Sequence, residues 1–387
     1  MTGPAPKGTA VNLRSTLTGT ISTLGLAGTL ALSLAACGEN AATAGSADGS
    51  SDTPAVSGTL NGAGASSAQS AQESWTQSYQ AVQSQSGNDV TVTYDAIGSG
   101  AGREQFLAGG VQFAGTDAAL TKDEIAKSAT VCQGGTAFDL PVYISPIAVV
   151  FHLEGVDELQ LSQATIAGIF AGDITTWNDP QIVKDNPDLK GSLPDKKIIP
   201  VHRSDDSGTT ENFTSYLSEN APEAWKHGEV ETWPIDGGQS GDGTSGLVGV
   251  VEGGDGTIGY ADASKAGNLG VAAIKVGDKF VEYSPEAAAR AVEASPRADG
   301  RADNDIVMDL DRTIDDPSAY PLVLVSYLAL CDTYEDQATA DLVKSYAGYV
   351  VSPEGQKAAS EAAGSAPLTE KLSQDAQKSV DAIAAKK

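Results

Sequence analysis

Four short segments of this 387-residue chain place small hydroxyl or glycine residues where an extended stretch gives way to a helical one. Gly62-Ala63-Gly64-Ala65-Ser66-Ser67 precedes a helix predicted over residues 70–82, in which Trp75, Tyr79 and Val82 recur at i, i+4 and i+7. Gly98-Ser99-Gly100-Ala101-Gly102 follows a strand predicted over residues 89–94 from period-two alternation. Arg203-Ser204-Asp205-Asp206-Ser207-Gly208-Thr209-Thr210 follows a strand over 198–201 and precedes a helix with Phe213, Tyr216 and Leu217 on one face. The fourth, Gly115-Thr116-Asp117, follows an extended stretch over 111–113 and leaves a carboxylate at the strand end. A helix N-terminus offers unpaired N–H groups and the positive end of the helix dipole. Hydroxyls add donors and glycine lets the backbone come close, so such segments suit an oxyanion. Any one of them also reads as a plain N-cap. Three of them with Arg203 describe an anion site.

The elements that must position these residues alternate between strand and helix, the pattern of an α/β protein. Residues 104–107, 121–128, 336–350 and 353–363 read as helical. Two long apolar runs, 141–153 and 320–330, are extended, and the first is too long for one ordinary strand. Two crossing strands far apart in sequence imply two lobes joined by a two-stranded hinge. No internal repeat is visible. Gly241-x-Gly243-x-x-Gly246 and Gly254-x-Gly256-x-x-Gly259 match the dinucleotide pattern, but polar, glycine-rich sequence precedes both, so both are assigned to loops. There is no Gly-Lys-Ser/Thr P-loop and no Gly-x-Ser-x-Gly elbow. His152, His202 and His227 read as edge or surface residues and receive no role.

Composition narrows the partners. Lys and Arg number 24 against 51 Asp and Glu, a net charge of −27. Nucleic acid and anionic lipid need basic faces and are excluded as general partners. Three Cys and three His leave little for a His/Cys zinc site, and no cofactor or metal is expected. Lys7 and Arg14 are the sole charges before Glu39, and an apolar stretch then ends in Leu34-Ala35-Ala36-Cys37. That is the layout of a secretory signal peptide over 1–36, and its end resembles the lipobox of bacterial lipoproteins, in which the cysteine is diacylated after cleavage. The alternative is an uncleaved signal anchor. Cleavage removes two bases and no acid, moving the charge from −27 to −29. Residues 38–57 lack aromatics and read as a flexible spacer. Outside the cell the remaining even pair, Cys132 and Cys331, favours a disulfide.

The same segments, in order and spacing, resemble the phosphate-binding protein of the high-affinity phosphate ABC transporter (the PstS family). The resemblance runs from about residue 60 to near the C-terminus. It rests on Gly62–Ser66, Ile97–Gly100, Ala114–Ala118, Ile166–Phe170 leading to Trp177-Asn178-Asp179-Pro180, and Arg203–Thr209. It implies a type II periplasmic-binding-protein fold, two α/β lobes closing on phosphate, with the first lobe at 58–142 and 321–387 and the second at 143–320. It implies that Ser66 and Ser99 donate hydroxyl and backbone hydrogen bonds, and Ser67 a backbone N–H. Arg203, Ser207, Gly208 and Thr209 would grip the anion from the second lobe, with Asp205 holding the guanidinium. Asp117 would accept a hydrogen bond from the phosphate's own proton, which sulfate lacks at neutral pH. Two departures stand out: Ser67 where many relatives carry an aromatic, and Asp206 where Gly is common. The resemblance further implies a non-enzymatic, monomeric lipoprotein on the outer face of the cytoplasmic membrane, serving a permease. A phosphohydrolase using Ser66, Ser99 or Ser207 would need a base or metal set that the sequence does not offer.

Overall fold

The structure, a computed structural model, describes residues 55–387. The signal segment, Cys37 and most of the spacer lie outside the described residues. The first half of the fold runs β1 (Gly58–Gly64), α1 (Gln69–Gln85), β2 (Val90–Asp95), α2 (Ser99–Leu107), β3 (Phe113–Thr116) and α3 (Lys122–Lys127). Strand β4 (Ala137–His152) then leads into β5 (Glu158–Leu161), α4 (Gln163–Ala171), α5 (Pro180–Asp185), β6 (Ile199–Arg203), α6 (Gly208–Asn220), β7 (Gln239–Gly241) and α7 (Gly243–Glu252). After these come β8 (Thr257–Asp262), β9 (Gly270–Val276), β10 (Lys279–Val281) and α8 (Pro285–Ala294). The chain returns through β11 (Val323–Cys331), β12 (Thr333–Tyr334), α9 (Gln337–Val351), α10 (Pro353–Ala363), α11 (Glu370–Asp381) and β13 (Ala384–Ala385).

One curled sheet holds both halves, with strand order β2-β1-β3-β11-β4-β8-β6-β7. Its keystone is β4. At roughly 3.3 Å per residue its 16 residues span about 50 Å, enough to serve two sheets. It is buried on both faces as far as Phe151, so its sequence is continuously apolar rather than alternating. Its first part, to Pro146, pairs antiparallel with β11, and from Ile147 it pairs with β8. The apolar run at 320–330 does not cross as a single strand: β11 begins at Val323, and Tyr320–Leu322 form a short return beside β4, with Ile147 N–H donating to Leu322 O at 2.8 Å.

Strands β1, β2 and β3 are parallel, as are β8, β6 and β7. In such sheets the loops that lead into the helices gather at the carboxyl ends of the strands, where ligands bind. All four anion-type segments lie at those ends.

Two local expectations needed correction. Trp75 and Tyr79 are buried as expected, but Val82 is 49% exposed because the last turns of α1 project into solvent. The third strand is at Phe113–Thr116 rather than 111–113: its partners are Gly62, Ala63 and Gly64, so small residues form a ladder that carries no strand propensity. The helices at 121–128, 336–350 and 353–363 fall where predicted, α3 with a Thr121/Glu124 capping box. Each half has its own aromatic cluster, Tyr79–Tyr346 edge to face at 5.3 Å in the first and Phe213–Tyr260 stacked at 4.2 Å in the second. Cys132 and Cys331 are bridged, joining the loop after α3 to the end of β11 within the first half. Among the described residues no helix is long and apolar enough to cross a membrane.

Candidate anion site

Ser66 and Ser67 form the turn between β1 and α1, and Ser99 is the first residue of α2, capped by Gly98. Gly98 must be glycine: its φ is +96°, and a Cβ there would lie 2.5 Å from Asp205 Oδ2. Ser207 is the N-cap of α6, its hydroxyl oxygen accepting from Thr210 N–H at 3.2 Å while its own proton stays available to donate. Gly208 and Thr209 are the first residues of that helix. Ser66, Ser67, Ser99, Asp117, Arg203, Ser207 and Thr209 are all buried and gather at one place between the two halves.

Asp117, just past the end of β3, is the centre. Ser67 Oγ donates to both carboxylate oxygens at 2.7 and 2.8 Å, and Thr209 Oγ1 donates from the opposite half at 2.8 Å. Burial pushes the Asp117 carboxyl pKa above its ordinary value, while the hydroxyls of Ser67, Thr209 and Ser326 and the charge of Arg203 pull it back. Ser99 Oγ accepts from Asp117 N–H at 3.2 Å. The Ser67 side chain is therefore engaged, where sequence alone suggested a backbone contact.

Arg203 ends β6. Its Nε donates to Asp205 Oδ1 at 2.7 Å and its Nη2 to Asp205 Oδ2, so the carboxylate takes one edge of the guanidinium and leaves the Nη1 end for another acceptor. Asp205 also accepts from Gly243 N–H at 3.1 Å. Asp206 is exposed and its carboxylate takes the Thr232 hydroxyl, so it turns away from this cluster. His202 stacks on Trp233 at 5.1 Å and pairs with Arg203 O, and His227 packs against Trp225.

The two halves meet directly. Thr209 reaches Asp117, and Gly100 N–H donates to Asp206 O at 3.2 Å. Arg103, held by Glu124, forms a two-pronged pair with Glu231 at 2.8 and 2.6 Å. At Gly208 a Cβ would come within 2.6 Å of Ala118 N, so this contact also requires glycine. The arrangement is closed.

Two participants were not read from the sequence. Thr244, in the first turn of α7, donates its N–H to Ser66 Oγ at 2.9 Å and shares a 3.0 Å hydroxyl contact with it. The glycine motif at 241–246, assigned to a loop, is in fact a strand–turn–helix. The strand β7 is three polar residues paired on one side to β6, so it shows no apolar signal. The available clue was Gly243-Thr244-Ser245 followed by the apolar run 247–251, a helix start like the other three. The second participant is Asn212, whose amide donates across the cleft to Asp117 O at 2.9 Å. The motif at 254–259 is a turn leading into β8.

Residues 49–354 match the PBP superfamily domain. The chain is 34% identical over 367 residues to phosphate-binding protein PstS 2 of Mycobacterium tuberculosis, covering 92% of this chain and 96% of that one. It is 31% identical over 303 residues to phosphate-binding protein PstS of Methanocaldococcus jannaschii, covering 74% and 76%. The fold is similar to that of a high-affinity periplasmic phosphate-binding protein, PfluDING, solved with phosphate bound, with a TM-score of 0.68 at 21% identity over 83% of this chain and 93% of that one. The chain thus belongs to the PBP superfamily and, within it, to the PstS family of phosphate-binding proteins.

Proposed function

We propose that the chain captures inorganic phosphate outside the cytoplasmic membrane and delivers it to the permease of an ABC transporter. Its family is one of transport-linked binding proteins rather than enzymes. The observation that carries the reading is the buried Asp117 carboxylate, ringed by hydroxyl donors from both halves and lying beside Arg203.

In this reading Ser66, Ser99, Ser207 and Thr209 give hydroxyl bonds to phosphate oxygens. The N–H groups of Ser67, Gly208 and Thr209 add dipolar attraction at helix N-termini. Arg203, oriented by Asp205, supplies the one full positive charge. A site of local dipoles explains how a chain of net charge −27 attracts an anion. Asp117 accepts a hydrogen bond from the proton that phosphate keeps at neutral pH. Sulfate offers none, so its oxygen would face a buried lone pair without a donor, a mismatch costing about 1–3 kcal/mol or more. Anion contacts from both halves favour the closed state, which the permease would recognise. The protein acts as a monomer, tethered through a diacylated Cys37, whose two chains suffice for stable anchoring.

Calorimetric titration of the purified protein, stripped of ligand by unfolding and refolding, tests the reading with phosphate and then sulfate. One-to-one binding of phosphate with sulfate silent is expected. Equal binding of both would remove the role given to Asp117, and binding of neither by refolded protein would remove the function. Replacing Cys37 should release the protein into the medium with unchanged phosphate affinity; continued retention would point to an uncleaved anchor.

A further inference from the structure

Arg312 is a buried cation that the anion site does not use. It is 4% exposed and lies between α8 and β11, beside the return crossing. Its Nη1 donates to the main-chain carbonyls of Pro321 at 3.2 Å and Val323, and its Nη2 to Asn212 Oδ1. Among the described residues it forms no ion pair with a carboxylate. Burial lowers its pKa to about 10, which leaves it charged at neutral pH. A buried guanidinium whose direct partners are all neutral carbonyls, with Glu219 and Glu229 attracting it only through space, is a costly arrangement.

Asn212 explains what the arrangement does. Its amide Nδ2 donates to Gly208 O on its own helix at 2.9 Å and to Asp117 O across the cleft at 2.9 Å. Guanidinium can only donate and main-chain carbonyls can only accept. The amide therefore has a single orientation, Oδ1 toward Arg312 and Nδ2 toward the two carbonyls. Arg312 is the donor that holds Oδ1 in that orientation.

We infer that Arg312 and Asn212 form a closing clamp behind the anion site. Arg312, fixed at the hinge, orients the Asn212 amide, and that amide ties the main chain of Asp117 to the first turn of α6 once the halves meet. Both are positioning residues and neither touches the anion. The inference rests on the phosphate reading above. Because the bond to Asp117 forms after the halves close, its loss should speed release of the anion and leave capture alone.

The variants Asn212→Asp and Asn212→Ala separate this role from a purely structural one. In Asn212→Asp one carboxylate oxygen still pairs with Arg312, so the fold is kept, but the other faces two carbonyls with no proton to give. Stopped-flow binding of phosphate, with thermal unfolding of the phosphate-free protein alongside, reads both properties. The expected result is release faster by about tenfold or more, the scale of one buried unsatisfied carbonyl, with the capture rate within about twofold. Thermal stability of phosphate-free Asn212→Asp should stay close to that of the parent. Arg312→Gln, if it folds, should accelerate release in the parent but add nothing in Asn212→Ala, since it acts through the amide. An unchanged release rate in folded Asn212→Asp and Asn212→Ala overturns the clamp while the phosphate reading stands. A parent protein that takes up no phosphate overturns both.

Discussion

Asp117 and Asp139 are both buried carboxylates in the first half of the fold, and they are served in opposite ways. Asp117 receives hydroxyls: two bonds from Ser67 and one from Thr209. Asp139, on β4, receives Leu120 N–H at 3.0 Å and Arg301 Nη1 at 3.4 Å, both on Oδ2, while its Oδ1 has no partner among the described residues. Its main-chain N–H donates to Asp305 Oδ1 at 2.9 Å, and its carbonyl accepts from Ile306 N–H. Burial, and then the nearby Asp305, push the Asp139 pKa up to about 8.

Both groups thus have raised pKa values, so a raised pKa does not by itself mark a functional carboxylate. The donors separate them. Hydroxyls are neutral rotors that can turn from a carboxylate to an arriving anion, whereas a main-chain amide and a guanidinium anchored by a second carboxylate are parts of the frame. Asp117 is equipped to exchange partners. Asp139 pins the segment around residues 301–306 to β4.

The sharpest break in this contrast is Arg203→Ala, which removes the charge balancing Asp117 and the anion. It should weaken phosphate binding by about 2–5 kcal/mol in calorimetry, the range for stripping one partner from a buried charged contact. An unchanged Kd would exclude Arg203 from the site. Asp117→Asn comes next: an amide can donate to sulfate as well as phosphate, so the preference for phosphate should shrink by about 2 kcal/mol, read as the ratio of the two Kd values. If the ratio stays where it was, the selectivity argument fails.

Asp139→Asn should act on stability and leave both Kd values alone. A carboxyl whose pKa is higher in the folded than in the unfolded chain stabilises most at low pH, below its unfolded value near ~4. That stability drains away as pH climbs to about 8. Urea unfolding at several pH values should show the parent losing stability across this window from Asp139, and the Asn variant losing clearly less. Parallel profiles for the two proteins would contradict the assignment. Ser67→Ala is the mildest test. It takes one donor from Asp117 and should cost about 1 kcal/mol in phosphate affinity, with little change in thermal unfolding. A loss confined to thermal stability would make Ser67 a frame residue like Asp139.

The Asp117 side of this contrast is legible in the amino-acid sequence. The hydroxyl segments at Ser66, Ser99 and Ser207 lie at helix starts, and Arg203 and Asp117 lie at strand ends, because strand periodicity and cap chemistry are local properties. The apolar run of β4 announces a crossing strand by its length alone. The elements that escape a sequence reading share another physical character. β3, expected two residues early, pairs largely through Gly and Ala, and β7 is a polar edge strand, so neither carries the run of large apolar residues that marks a strand. Asn212 and Thr244 are ordinary helical residues until the opposite half supplies Asp117 O and Ser66 Oγ.

The sequence by itself determined the α/β class, the local geometry of each anion-type segment, the acidic balance and the family likeness. These follow from neighbouring residues and from composition. Only the tertiary structure decided that Ser67 serves Asp117 through its hydroxyl, that Asp206 turns outward, that α7 joins the site and that Arg312 reaches it through Asn212. Each of those is a contact between residues far apart in the chain, made when the two halves of one sheet curl until the carboxyl ends of their strands face each other.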